Sequence, residues 1–179
     1  MPNWCQNTLA IEGDSSEIAK FREWLNDQPL TLQKIRPMPK ELEDTISPTP
    51  DWSTVDAEKA KILQEKYGAD NWYDWHVKNW GTKWDIEAEE VSEETDDRIC
   101  FSFESAWSPP EAAIKKLGVM FPSLDFSLVY REDGMGFAGI LKIKGDEWTE
   151  ASYDSKDREG YRQFILDEFG DDPFEVDFA

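Results

Sequence analysis

The sequence predicts an α+β fold: one antiparallel-rich sheet with helices packed on a face, plus a helical insertion and a C-terminal helix. Three observations predict it. Alternating apolar and polar runs mark strands at Asn7–Glu12, Arg98–Glu104, Leu124–Arg131 and Gly136–Lys144. Amphipathic stretches with helical spacing separate them. Both kinds are interspersed along one chain of 179 residues, a length that suits a single layered domain.

Residues Asn7–Glu12 end at Gly13, and Asp14 or Ser15 then caps a helix with Ile18, Phe21, Trp24 and Leu25 on one face. Leu30–Ile35 alternates again and reads as a second strand, which completes a β-α-β unit. Residues 37–69 read as an insertion. It is rich in proline and acids at first, has a helical turn near Lys40–Asp44, and ends in a helix over Asp56–Tyr67. Thr82–Ile86 reads as a strand forming a hairpin with Arg98–Glu104 around an acidic connection. Ser108-Pro109-Pro110-Glu111 reads as a capped helix start, with Gly118 as the stop. Glu132-Asp133-Gly134 is a hairpin turn. Asp157–Phe169 is a last helix with Tyr161, Phe164, Ile165 and Phe169 on one face. Residues 1–145 are thus expected to form the domain, and 146–179 an acidic helix and tail packed on it.

Charge bounds the partners. The chain carries 39 acids and 19 bases, a net −20. Such a surface repels phosphate backbones and attracts basic proteins. The densest negative runs are Glu87, Glu89, Glu90, Glu93, Glu94, Asp96 and Asp97, with no intervening base, and the C-terminal acids that include Asp171, Asp172 and Glu175. Their spacing does not match a calcium loop, so the expectation is no metal and no cofactor. Cys5 and Cys100 are the only cysteines and lack a C-x-x-C spacing. No apolar run is long enough to span a membrane and the start has no signal-peptide pattern, so a cytoplasmic location is expected.

Asn71 to Asp85 (NWYDWHVKNWGTKWD) holds four of nine tryptophans and the sole histidine. Trp72, Trp75, His76, Asn79 and Trp80 fall at i, i+3, i+4, i+7 and i+8, one helix face. A ring stripe at that spacing serves first as a core face on a sheet. The alternative, functional reading is a rim of open rings, drawn from Trp72, Tyr73, Trp84 and Trp107, that would stack a base or hold a cation. His76 has no partner set for a triad or a metal, and Ser108 is not on a nucleophile elbow. No catalytic residues are expected, and the protein is expected not to be an enzyme.

Three stretches carry a family likeness: Pro2-Asn3-Trp4-Cys5-Gln6-Asn7-Thr8-Leu9; Asn71-Trp72-Tyr73-Asp74-Trp75 through Asn79-Trp80-Gly81-Thr82-Lys83-Trp84-Asp85; and Phe101-Ser102-Phe103 with Ala106-Trp107-Ser108-Pro109-Pro110. Together they resemble the YubB-like family of phage and conjugative-plasmid proteins, over roughly residues 2 to 144. The resemblance implies a ferredoxin-like sandwich and a mobile-element origin, and no catalytic residues. The expected function is an acidic, non-enzymatic binding protein that engages a basic host protein, with anti-defence inhibition by DNA-like charge as one role. Direct nucleic-acid binding and membrane association are not expected. The alternative is a nucleic-acid- or small-ligand-binding module built on the tryptophan rim.

Overall fold

The computed structural model describes residues 2–49, 55–91 and 95–174. A six-stranded sheet carries β1 (Trp4–Glu12), β2 (Glu89–Glu90), β3 (Arg98–Ala106), β4 (Asp125–Glu132), β5 (Phe137–Lys144) and β6 (Glu147–Asp154). Their order is β2-β3-β1-β4-β5-β6, and every pairing is antiparallel. β3 lies between β1 and β2, so the first strand, the following helix and β2 make a split β-α-β unit. The first four strands in this order give the ferredoxin-like arrangement. β5 and β6 extend it as a meander.

Strand alternation divides the sheet into two faces. Cys5, Asn7, Leu9 and Ile11 of β1 meet Ile99, Phe101 and Phe103 of β3 and Phe126, Leu128 and Tyr130 of β4 in one buried layer. Helices α1 (Ser15–Leu25) and α5 (Glu111–Met120) cover it with Ile18, Phe21, Ile114 and Leu117. The last helix, α6 (Arg158–Phe169), lies on the opposite face. Its Tyr161, Phe164 and Ile165 pack on Ala138, Val129 and Ile140 of β4 and β5. Asn7 is buried in the first layer, and its amide donates to the Cys5 carbonyl and to Ser105 Oγ, both at 2.8 Å. Cys5 is buried, and burial pushes its thiol up to about 12, so it stays protonated.

Four local expectations are corrected. Leu30–Ile35 is not a strand: only Leu30 bridges Ala88, and α2 (Leu32–Ile35) is one helical turn. Thr31 Oγ1 accepts from the Lys34 amide at 3.1 Å and the Asp85 carboxylate accepts from the Leu32 amide at 2.6 Å, so the turn is capped twice. Thr82–Ile86 forms no ladder, because its polar groups are taken elsewhere. Thr82 Oγ1 donates to the Ala106 carbonyl at 2.7 Å, and Asp85 caps α2. Ser108 caps no helix. Its hydroxyl donates to the Gly81 carbonyl at 2.7 Å and pins the Trp-Ser-Pro-Pro segment to the tryptophan run. Gly118 lies inside α5, which runs on to Met120. The strand β6, within a stretch expected to hold only a helix and tail, is a further addition.

The insertion contains a 3-10 turn at Lys40–Leu42 and α3 (Val55–Tyr67). Lys66 and Tyr67 both donate to Glu41 Oε1, at 3.0 and 2.8 Å, and tie the two together.

Candidate functional site

The tryptophan run forms α4 (Trp72–Asn79), capped by Asn71, whose side-chain oxygen accepts from the Asp74 amide at 2.9 Å. Trp75, His76, Asn79 and Trp80 are buried, as the spacing predicts; Trp72 is only half-buried, at the first residue of the helix. The Trp80 ring stacks on His76 with centroids 3.8 Å apart and meets Trp75 edge-on at 5.7 Å. Its Nε1–H donates to the Arg36 carbonyl at 2.9 Å. This half of the run is core.

His76 Nδ1 lies 2.8 Å from the Lys83 carbonyl, which can only accept, so Nδ1 carries the proton. Nε2 is buried without a hydrogen-bond partner among the described residues. Burial lowers the His76 pKa, opposed by the Lys83 bond and the Asp85 charge. As pH falls through 6.5, the unfolded chain takes up a proton that the folded imidazole refuses. Stability is therefore expected to decline between pH 7 and 5, and to decline less in His76→Gln. Thermal melts of both proteins across that range check this. The opposing contribution of Glu111, whose carboxyl is raised by burial and by Glu150, is common to both and cancels in the difference.

The other half of the run is open. Trp84 is 39% exposed and Trp4 45%, with ring centroids 6.0 Å apart. Lys83 Nζ sits 4.9 Å from the Trp84 ring centre and 5.9 Å from that of Tyr73, which in turn meets Trp72 edge-on at 5.8 Å. The structure thus places Trp72, Tyr73 and Trp84 near one another, with Lys83 between the Tyr73 and Trp84 rings. Trp4 is a member that sequence reasoning missed, although its phase in β1, outward with Gln6 and Thr8, was available as a signal. Trp107 is also exposed, at a φ of 73° with its amide donating to the Asn3 carbonyl at 3.0 Å. Among the described residues no ring contact joins it to the others.

The acids divide in the same way. Glu87, Glu89, Asp96 and Asp97 are exposed, and no ion pair among the described residues engages them. Glu90 contributes its backbone to β2 opposite Phe101. Glu93, Glu94 and Glu175 lie outside the described residues. Asp171 and Asp172 are not unpaired charge, contrary to expectation. Arg131 Nη1 donates to both Asp171 oxygens at 2.7 and 2.8 Å, and Arg162 donates twice to Asp172 at 2.5 and 2.7 Å. The Arg162 bonds hold the Asp172 carboxyl below the usual range. These two acids fasten the segment after α6 to the domain.

A basin of about 800 Å³ lies on the uncovered part of the sheet and includes Glu12, Arg98, Asp125, Lys142, Lys144 and Glu147 in its lining. Four of its charges form two ion pairs, Arg98 with Glu12 at 3.3 Å and Lys144 with Asp125 at 2.7 Å. Among the described residues no group of three or more metal-ligating side chains is assembled, and no helix is long and apolar enough to cross a membrane.

A family model described as a ferredoxin-like domain in Api92-like protein matches residues 79–169. The match runs past residue 145 through β6 and the whole of α6. Among solved structures, the chain is similar to the crystal structure of protein api92 from Yersinia pseudotuberculosis, at 13% identity and a TM-score of 0.53, over 86% of this chain and 98% of that one. No curated protein matches. The chain belongs to the family of ferredoxin-like domains in Api92-like proteins.

Proposed function

We propose that this Api92-like protein is a non-enzymatic binding protein that engages a basic surface of another protein. The observation that supports the reading is the disposition of its charge. In a chain of net −20, the acids near Asp171 are neutralised by arginines, whereas Glu87, Glu89, Asp96 and Asp97 stand exposed at the β2 edge. Acids kept free at one edge create a field that steers a basic partner. The finer reading follows the YubB-like resemblance: a phage or plasmid protein acting in the host cytoplasm, whose partner is a basic nucleic-acid-binding defence protein occupied through DNA-like charge.

The test is affinity capture from bacterial lysate followed by association kinetics with the captured partner. Replacing Glu87 and Glu89 by glutamine and Asp96 and Asp97 by asparagine is expected to slow association about tenfold at low salt and to flatten its salt dependence. An unchanged rate and salt dependence in a folded variant would sink the acidic reading.

A second reading is favoured by one observation: Trp4 and Trp84 present open rings beside Lys83. Such a surface stacks a base or an aromatic ligand. Titration with single-stranded oligonucleotides at physiological salt discriminates. The acidic reading expects no micromolar binding, because the net charge opposes phosphate contacts. Micromolar binding lost in Trp84→Ala would establish the aromatic reading instead.

A further inference from the structure

β6 ends the sheet, and among the described residues no strand pairs with its outer edge. The chain passes from β5 to β6 through Gly145 and Asp146 alone, with Gly145 at a φ of 62°. A two-residue hairpin makes Lys144 and Glu147 a hydrogen-bonded pair, and alternation gives the same role to Thr149, Ala151 and Tyr153. The Ser155 amide donates to the Gly136 carbonyl at 2.7 Å, which fixes the same phase at the far end. The backbone groups of Trp148, Glu150 and Ser152 therefore aim away from β5. Among the described residues no hydrogen bond reaches them. Every β6 side chain except the half-buried Tyr153 is exposed. Trp148 is 55% exposed, more than any other tryptophan among the described residues, with Lys115 Nζ 5.0 Å from its ring centre.

Residues 146–154 hold four acids and no base. Antiparallel pairing with a second copy would set these acids against their own kind. A nucleic acid would meet the same repulsion and has no amide ladder to offer. An extended basic peptide satisfies both features, because its backbone pairs with the open edge and its cations meet Glu147, Glu150 and Asp154. β2, at the other edge, is only two residues long and offers no comparable ladder.

We propose that β6 is a docking edge that takes an extended, lysine- or arginine-rich segment of a partner protein as a seventh strand. This rests on the acidic-partner reading in its charge term, and adds a backbone term that charge does not supply. Charged edge strands also serve to prevent pairing, and that role predicts no binding here at all.

The probe is a labelled Lys-Thr-Lys-Val-Lys-Thr-Lys-Val peptide, titrated by fluorescence anisotropy into the full-length protein. Two further versions are N-methylated at alternate residues, one in each phase. Ser152→Pro removes one outward amide and leaves the β5 ladder and every charge in place, a substitution that edge strands accept. The expected result is binding that weakens about tenfold in Ser152→Pro and with one of the two N-methylated peptides. Glu147→Gln with Glu150→Gln should weaken it too and reduce its salt dependence. If Ser152→Pro does not fold, the N-methylated peptides against the unaltered protein decide alone. Equal binding of all three peptides, weakened only by the glutamine variant, overturns strand addition and leaves the acidic reading standing. Backbone-dependent binding that ignores salt and the glutamine variant overturns the choice of a basic segment at β6 and leaves the acids near β2 to their own test. No binding of any peptide overturns the docking edge, as does a dimer seen by sedimentation that Ser152→Pro dissolves.

Discussion

Trp80→Ala is expected to cost about 3–5 kcal/mol of folding stability, the range for large-to-small changes at buried aromatic sites. Trp80 is 2% exposed and sits where three elements meet. Its ring stacks on His76 and abuts Trp75 of α4, its Nε1–H reaches the Arg36 carbonyl at the end of α2, and its own carbonyl accepts from the Ala113 amide of α5 at 3.2 Å. Alanine would remove the ring contacts and the indole hydrogen bond together. The surrounding Trp75 and His76 rings are rigid and cannot close the gap. Trp80→Phe separates the two losses. It retains most of the packing and gives up the bond to Arg36, a loss of about 1 kcal/mol because Arg36 is exposed and water can replace the indole. Trp84→Ala, at the open end of the same run, should stay within about 1 kcal/mol of the parent. Urea denaturation of the three variants measures this. An unchanged midpoint for Trp80→Ala would show that the ring is not in the core and would turn the whole run into a ligand platform.

That contrast within one run shows what a sequence makes legible. Helical spacing identified Trp75, His76, Asn79 and Trp80 as one buried face because burial and periodicity are the same signal there. Trp72 has the same spacing yet is half-buried, because spacing gives a direction and not what the neighbouring elements place in it. Leu30–Ile35 was ambiguous for the same reason. Its Leu30 and Leu32 fit alternation, but Ile35 falls on the other phase, Leu32 and Ile35 fit one helical turn, and the choice was made by the Asp85 carboxylate from 53 residues away. β6 was invisible because an edge strand exposed on both faces has no apolar phase to read. The acids were legible as charge and illegible as pairs. Arg131 lies 40 residues from Asp171, and only the fold brings them together.

Gly118→Ala is the sharpest test of how α5 is seated, because two principles predict opposite signs. Read as a helix residue, glycine is the poor choice, and alanine should stabilise by about 1 kcal/mol. Read in the fold, alanine is expected to destabilise by about 1–3 kcal/mol through overpacking. Gly118 lies on the buried side of α5, against the end of β5. A Cβ there would stand 2.7 Å from the Gly145 carbonyl oxygen, and closer still to Ile143 Cγ2. Ile143 is buried and has little room to yield. The Gly145 carbonyl belongs to a two-residue turn held at positive φ, so it cannot swing aside without disturbing the β5–β6 hairpin. Relief must come from α5 lifting off the sheet, which uncovers Ile114 and Leu117. Val119→Ala, on the exposed side of the same helix, should change stability by no more than about 0.5 kcal/mol and serves as the control for propensity. Urea denaturation of both variants decides the sign. Stabilisation of Gly118→Ala would mean that α5 stands further from the turn and leaves room for a Cβ, so that helix propensity alone sets the sign.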